Sequence, residues 1–196
     1  MFVHRMPEVR CPNQSVTHRR LPYRYSLLAI AAAMLWVSSA SSASAADVNL
    51  ALNHLATGST PCGSTEGPQR AVNGSTNLGN YDKFCTQASS RWLQVDLGAL
   101  VTVDSFTIAH AGAGGESSTY NTKAFNIQLS QDGQNWFTVV TVSNNTANTS
   151  THTITPATAR YAKLNITTPT QNTDTAARIY EFQVNGCVPL PLTWNS

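Results

Sequence analysis

The feature that most constrains this chain is a period of two. Over residues 91–110, RWLQVDLGALVTVDSFTIAH, Leu93, Val95 and Leu97 fall on one side of an extended segment, with Gln94 and Asp96 on the other. Phe106 and Ile108 again share a side, opposite Ser105 and Thr107. Successive side chains alternate between faces only in a strand, and β-branched and aromatic residues fill the pleat well. The intervening Gly98-Ala99-Leu100 reads as a turn between two strands. No segment sustains a helical period, which leaves an all-β fold.

The same alternation recurs along the chain. A short first strand is expected over residues 49–53, and Phe125, Ile127 and Leu129 alternate further on. Gln131-Asp132-Gly133-Gln134 is a hairpin signal, and residues 135–142 return as a strand. Residues 152–155, 159–166 and 179–184 read as three more strands. Between them lie a long irregular stretch over 56–90, a Gly-rich loop over 111–121, and polar connections over 144–150 and 169–176. Seven or eight short strands with turn signals between them indicate a β-sandwich.

Residues 1–46 are read as a leader and secretory signal, because Arg19, Arg20 and Arg24 precede an apolar run that ends in small residues. That run is shorter than the ~20 residues a membrane span needs. The expected location is therefore secreted, with the folded domain over 47–187 and a linker-like tail over 188–196. Five of the twelve Lys and Arg lie in the leader, leaving seven basic against nine acidic residues, a net −2. No basic patch remains for nucleic acid. Cys62, Cys85 and Cys187 lie beyond the leader, and export makes a disulfide expected. Cys62–Cys85 is favoured, closing a loop around a Gly-rich segment, with Cys187 unpaired or paired outside the domain. No CxxC or His-rich spacing points to zinc.

Six landmarks stand in order: NLALN at 49–53, RAVNG at 70–74, WLQVDLG at 92–98, SQDGQNW at 130–136, ARYAKLNI at 159–166 and IYEFQVNG at 179–186. Together they resemble the coagulation-factor type C, or discoidin, domain of the galactose-binding-like superfamily, and within it carbohydrate-binding-module family 32. The resemblance implies a jelly-roll β-sandwich of about eight strands whose first and last strands are neighbours. It implies a noncatalytic module that binds a glycan, of galactose type, through loops at one end and is attached to a glycoside hydrolase or tethers a cell surface. It also implies a structural calcium.

Carried over position by position, calcium would be held by the Arg70 carbonyl, Asn73, Ser75, the Tyr180 carbonyl and Glu181. Asn73 stands where the family has Asp, so it either ligates without charge or braces an Asx turn. For the sugar, His110, Glu116, Tyr120 and Asn121 offer imidazole, carboxylate, aromatic and amide groups, beside Gly and Ala residues that would leave room for a ligand. Lys83 and Tyr81 are second candidates, and His110 reads equally as a hydrogen-bonded histidine at the core edge. An Arg frequent in the family's sites is not placed. Trp92 and Trp136 are read as structural. No nucleophile elbow or paired carboxylates suggest catalysis. Two other readings stay open: adhesion to protein or lipid, and an ancillary fragment of a glycoside hydrolase. The loop tips at 111–115 and 170–176 are mostly Gly, Ala and Thr, which disfavours membrane insertion.

Overall fold

The computed structural model describes residues 48–187; the leader expected over 1–46 and the tail over 188–196 lie outside the described residues. The strands are β1 (Val48–Asn49), β2 (Leu55–Gly58), β3 (Phe84–Thr86), β4 (Arg91–His110), β5 (Ala124–Ser130), β6 (Phe137–Val142), β7 (Thr149–Thr168) and β8 (Ala177–Cys187). All pairings are antiparallel, in the order β1-β8-β4-β7-β5-β6, with β2 added to β4 and β3 to β8.

Both β4 and β7 are twenty residues long and pass through both layers of a sandwich. The first half of β4 pairs with β2 and with the second half of β7, which continues to β5 and β6. The second half of β4 lies between β8 and the first half of β7. The ladder is therefore continuous and closes over one core, in which Leu93, Val95, Phe106, Ile108, Phe125, Ile127, Leu164 and Phe182 meet. Fully burying one such side chain contributes about 1.5–3 kcal/mol. As expected, the first strand lies beside the last, Val48 opposite Gly186.

Two breaks read from the sequence are bulges in continuous strands. Asp96 pairs with Tyr161 and Val101 with Ala159, so residues 97–100 bulge out opposite Arg160 alone. Gly98 supplies the positive φ of 79° this excursion needs, and its N–H bonds Asp96 Oδ1. Likewise Pro156 lies in a bulge, since Val103 pairs with Ala157 and Ser105 with Thr153. A proline without an N–H to donate is tolerated there, which is why two expected strands are one.

The first expected strand is shorter than its alternation suggests. The Asn49 side chain accepts from Ala51 N at 3.0 Å, and Asn53 adopts φ 60°, turning the chain over residues 50–54 before β2 begins. β2 and β3 both lie inside the stretch expected to be irregular. The Cys62–Cys85 disulfide is present and ties that stretch to β3. Cys187 is disulfide-bonded as well, so the expectation that it might stand unpaired is not met.

Cutting the Cys62–Cys85 link frees a loop with a sequence separation of 23. On the loop-entropy account, Cys62→Ser with Cys85→Ser is expected to cost about 3 kcal/mol in a denaturant titration, with the folded far-UV spectrum retained. An unchanged midpoint would show that β3 and its neighbours hold the loop without it.

Candidate functional site

Four connections converge at one end of the sandwich. The loop at 111–121 leaves β4 through a short 3-10 turn, Ala111–Gly114, and a second, Ser118–Tyr120. Gln171, between β7 and β8, donates its backbone N–H to Thr119 O and its side-chain amide to the carbonyls of Asn121 and Asn145. Asn145 in turn bonds Thr122 O, and Arg91 Nε bonds Thr175 O at 3.0 Å.

The glycines at 112 and 114 are there for close packing, which corrects the expectation that they leave room for a ligand. A Cβ on Gly114 would sit 1.9 Å from the Tyr180 ring, and one on Gly112 would sit 2.1 Å from Asn148 Oδ1. The loop lies directly on these side chains.

Glu116 is the hub of the charged groups. It accepts from Lys83 Nζ at 2.7 Å and Tyr180 OH at 2.9 Å, and lies 3.2 Å from Arg178 Nε. Lys83 also reaches Glu66 at 3.6 Å, and Arg178 bonds Asp174 and the Ala176 carbonyl, both at 3.0 Å. The Arg178 guanidinium lies over the Tyr120 ring, 4.4 Å from its centroid. Burial and the neighbouring Glu116 push the Tyr180 hydroxyl well above its ordinary range, so it remains a donor. Charge-assisted bonds of this kind are short and directional, and a buried network of them holds only when every member is satisfied. Glu116, Tyr120 and Lys83, the last read only as a second candidate in another loop, thus lie in one cluster with Arg178, which the sequence reading did not single out. It shares a phase with Tyr180 on β8, and that alternation was the available signal.

The other expected ligand groups lie elsewhere. Asn121 was expected on a surface loop but is fully buried. Its Oδ1 accepts from Gly112 N at 2.8 Å, and its Nδ2 donates to Asn148 Oδ1 and Thr146 O. It braces the loop from beneath. His110 is also fully buried, its Nε2 3.1 Å from Ser150 Oγ and its ring against Phe125. Its Nδ1 has no partner among the described residues. This is the core-edge placement of the two readings. Tyr81 is 64% exposed beside Leu78 at 59%, an apolar tip the sequence reading passed over. Trp92 and Trp136 bracket Lys163 on the outer face, with Nζ 5.7 and 3.8 Å from the two ring centroids.

The expected calcium residues meet in part, on the other side of β8. Glu181, only 4% exposed, accepts from Gly74 N at 3.2 Å through both oxygens. Asn73 Oδ1 accepts from Ser75 N in an Asx turn, and its amide donates to Asp82 Oδ1 at 2.6 Å. Asp82 is fully buried and was missed in the sequence. Burial would raise its carboxyl, but hydrogen bonds from Ser75, Asn73 and the backbone of Leu78 and Asn77 outweigh this and hold it below the ordinary value. Glu181 is pushed up to about 7 by burial, with Asp82 adding to the rise. Neither carboxylate has an ion-pair partner among the described residues. Two buried carboxylates with an amide oxygen and a hydroxyl form a hard-oxygen donor set that fits calcium, and Asp82 restores the charge Asn73 lacks. Arg70 is exposed on the 3-10 turn Pro68–Val72, whose Ala71 and Val72 are buried, and Tyr180 directly precedes Glu181. The other cluster of ligand-type side chains among the described residues, Cys62, Glu66 and Cys85, has both sulfurs in the disulfide.

Residues 70–164 match the family model described as NedA-like, galactose-binding domain. That model is one of the F5/F8 type C, galactose-binding-like domains. Among solved structures, the chain is similar to the family 32 carbohydrate-binding module from Streptococcus pneumoniae EndoD, with 28% identity and a TM-score of 0.60, over 68% of this chain and 97% of that one. It is also similar to chitosan-binding module 1 of a chitosanase/glucanase from Paenibacillus sp. IK-5, with 27% identity and a TM-score of 0.59, over 71% and 99%. The lectin domain of lectinolysin complexed with Lewis B antigen shares the fold at 21% identity and a TM-score of 0.58, over 70% and 95%. No curated protein matches the chain. The β-sandwich and its carbohydrate-binding-module fold are thereby shown as expected.

Burial in the sandwich pushes His110 down to about 4, with the neighbouring His152 adding to it. An unfolded histidine titrates near 6.5. Stability from this group is therefore complete above pH 6.5 and is lost as pH falls toward 4, because only the unfolded chain takes up the proton. Melting curves across that window should show a steeper loss for the native chain than for His110→Phe. Equal slopes would place the histidine in contact with solvent.

Proposed function

We propose that the sandwich is a noncatalytic module that binds a galactose-type glycan at the loop end and tethers a secreted enzyme or a cell surface to it. The observation that carries this reading is the Tyr120 ring seated on Arg178, which Glu116 anchors. A fixed aromatic plane packs against the C–H face of a sugar ring, while flanking polar groups bond its hydroxyls. Similarity at 27–28% identity to a family 32 module and a chitosan-binding module supports carbohydrate as the ligand class. The Cys62–Cys85 disulfide supports an oxidising, extracellular location. Sugar hydroxyls exchange water bonds for protein bonds with little net gain, so a single site is weak and works through multivalent display.

Calorimetric titration with a galactose-terminated oligosaccharide tests the site. Tyr120→Ala should weaken binding about tenfold, the equivalent of ~1.4 kcal/mol, with the melt preserved because the ring is partly exposed. Full binding by this variant would move the site away from the loop end.

Calcium belongs to the same proposal, held by Asp82, Glu181, Asn73 and Ser75 as a brace for the loop after Val72. A ligand bound only by the folded state stabilises it, by about 2.7 kcal/mol at a hundredfold excess over Kd. Chelator should lower the melting temperature of the native chain. Asp82→Asn and Glu181→Gln should abolish the difference, and Asn73→Asp should enlarge it. An unchanged melt in chelator and in excess calcium would leave these residues bracing a turn only.

A further inference from the structure

A second concavity lies on a different face from the Tyr120 site and shares none of its residues. It is a cleft of about 300 Å³ between residues 74–77 and the outer surface of the layer formed by β7, β4 and β8. Pairing of Thr107 with Gln183, and of Ala109 with both Glu181 and Thr149, places these side chains side by side on three adjacent strands. β8 serves both faces, with Arg178 and Tyr180 toward the loop end and Glu181 and Gln183 lining this cleft.

The lining has a distinct chemistry. Thr107, Thr149 and Gln183 form one wall, and Ser75 and Asn77 belong to the other. Ala109 is the small residue on the floor between them, while Gly74 turns through a φ of 79° and packs toward Leu52. Glu181, also one of the proposed calcium ligands with Ser75, reaches the cleft at only 4% exposure, with the Gly74 N–H beside it and no Lys or Arg paired to it among the described residues. No aromatic or basic side chain contributes to the lining. An anionic ligand would find no basic side chain in the lining, and an apolar one would strand the hydroxyls and amides without partners. The volume is at the small end for ligand sites. What fits is a compact, neutral molecule whose periphery is all hydroxyls.

We infer that this cleft is a second carbohydrate subsite, taking one neutral sugar ring with its hydroxyls bonded to Thr107, Gln183, Thr149 and Glu181, the last either directly or through a cation that Glu181 holds. The inference does not depend on the loop-end site. If both sites operate, one chain engages two points on a glycan surface, and weak contacts combine into useful avidity.

The test uses the full chain with its threonine and alanine methyl groups labelled for NMR. Galactose, N-acetylglucosamine and fucose are titrated separately, each in calcium and in chelator. Saturable shifts of the Thr107, Ala109 and Thr149 methyls are expected with at least one sugar, in one or both conditions. The shifts should persist in Tyr120→Ala and disappear in Thr107→Val combined with Gln183→Ala. Should that double variant unfold, Ala109→Leu, which fills the floor, provides the same readout. Absence of shifts at these methyls with all three sugars in both conditions overturns the inference. Shifts that vanish in Tyr120→Ala overturn it too, because they report a single site. Loss of loop-end binding alone, with the cleft shifts kept, would count against the other reading and leave this one standing.

Discussion

The hydrogen-bonded ladder between β4 and β7 is the constraint on which both sites depend, because each strand belongs to both layers of the sandwich. It runs from Arg91 opposite Ile166 to Ala109 opposite Thr149, interrupted only at the bulges near Gly98 and Pro156. Those bulges let two long strands turn from one layer into the other without losing their place. The loop at 111–121 departs where β4 ends, and the connection before β7 arrives beside it, with His110 N bonded to Asn148 O at 2.8 Å. The positions of the loops are thus inherited from strands whose alternate side chains are locked in the core.

β8 then divides the chemistry. Its bulge opposite Ala109 and His110 lets Tyr180 and Glu181 both be buried while facing different surroundings. On one side, Glu116 is met by a lysine, an arginine and a phenol, so its charge is compensated and it holds the loop in shape. On the other, Glu181 has backbone N–H groups but no countercharge among the described residues, beside a second buried carboxylate. A compensated carboxylate is structural; an uncompensated one in a buried site calls for a cation or a hydroxylated ligand. This difference in partners separates the two faces more sharply than the residue types do.

Much of the fold was legible in the sequence because a period of two survives local irregularity. Leu93, Val95, Phe106, Ile108, Phe125 and Leu129 all lie in the core that their alternation implied. What alternation cannot distinguish is a bulge from a turn, so residues 97–100 and Pro156 divided continuous strands. β2 and β3 are too short to show a period. At the site, Glu116 and Tyr120 were recognisable as a charged and an aromatic group following a Gly-rich stretch. Arg178 and Asp82 were not, because their partners lie far away in sequence: 178 meets 116 and 120, while 82 meets 73 in a loop without periodicity. Gly112 and Gly114 misled for the same reason. The side chains that occupy their space, Asn148 and Tyr180, come from distant strands and connections.

The central claim is that a rigid sandwich presents a glycan-binding end in which residues 111–121 and 170–178 act together. Hydrogen-exchange mass spectrometry of the full chain, with and without a galactose-terminated oligosaccharide, tests it most directly. Added protection should appear in peptides covering both of those segments, while the β4–β7 ladder, already protected, changes little. No gain in either segment, or protection confined to the face carrying Trp92 and Trp136, would contradict the account.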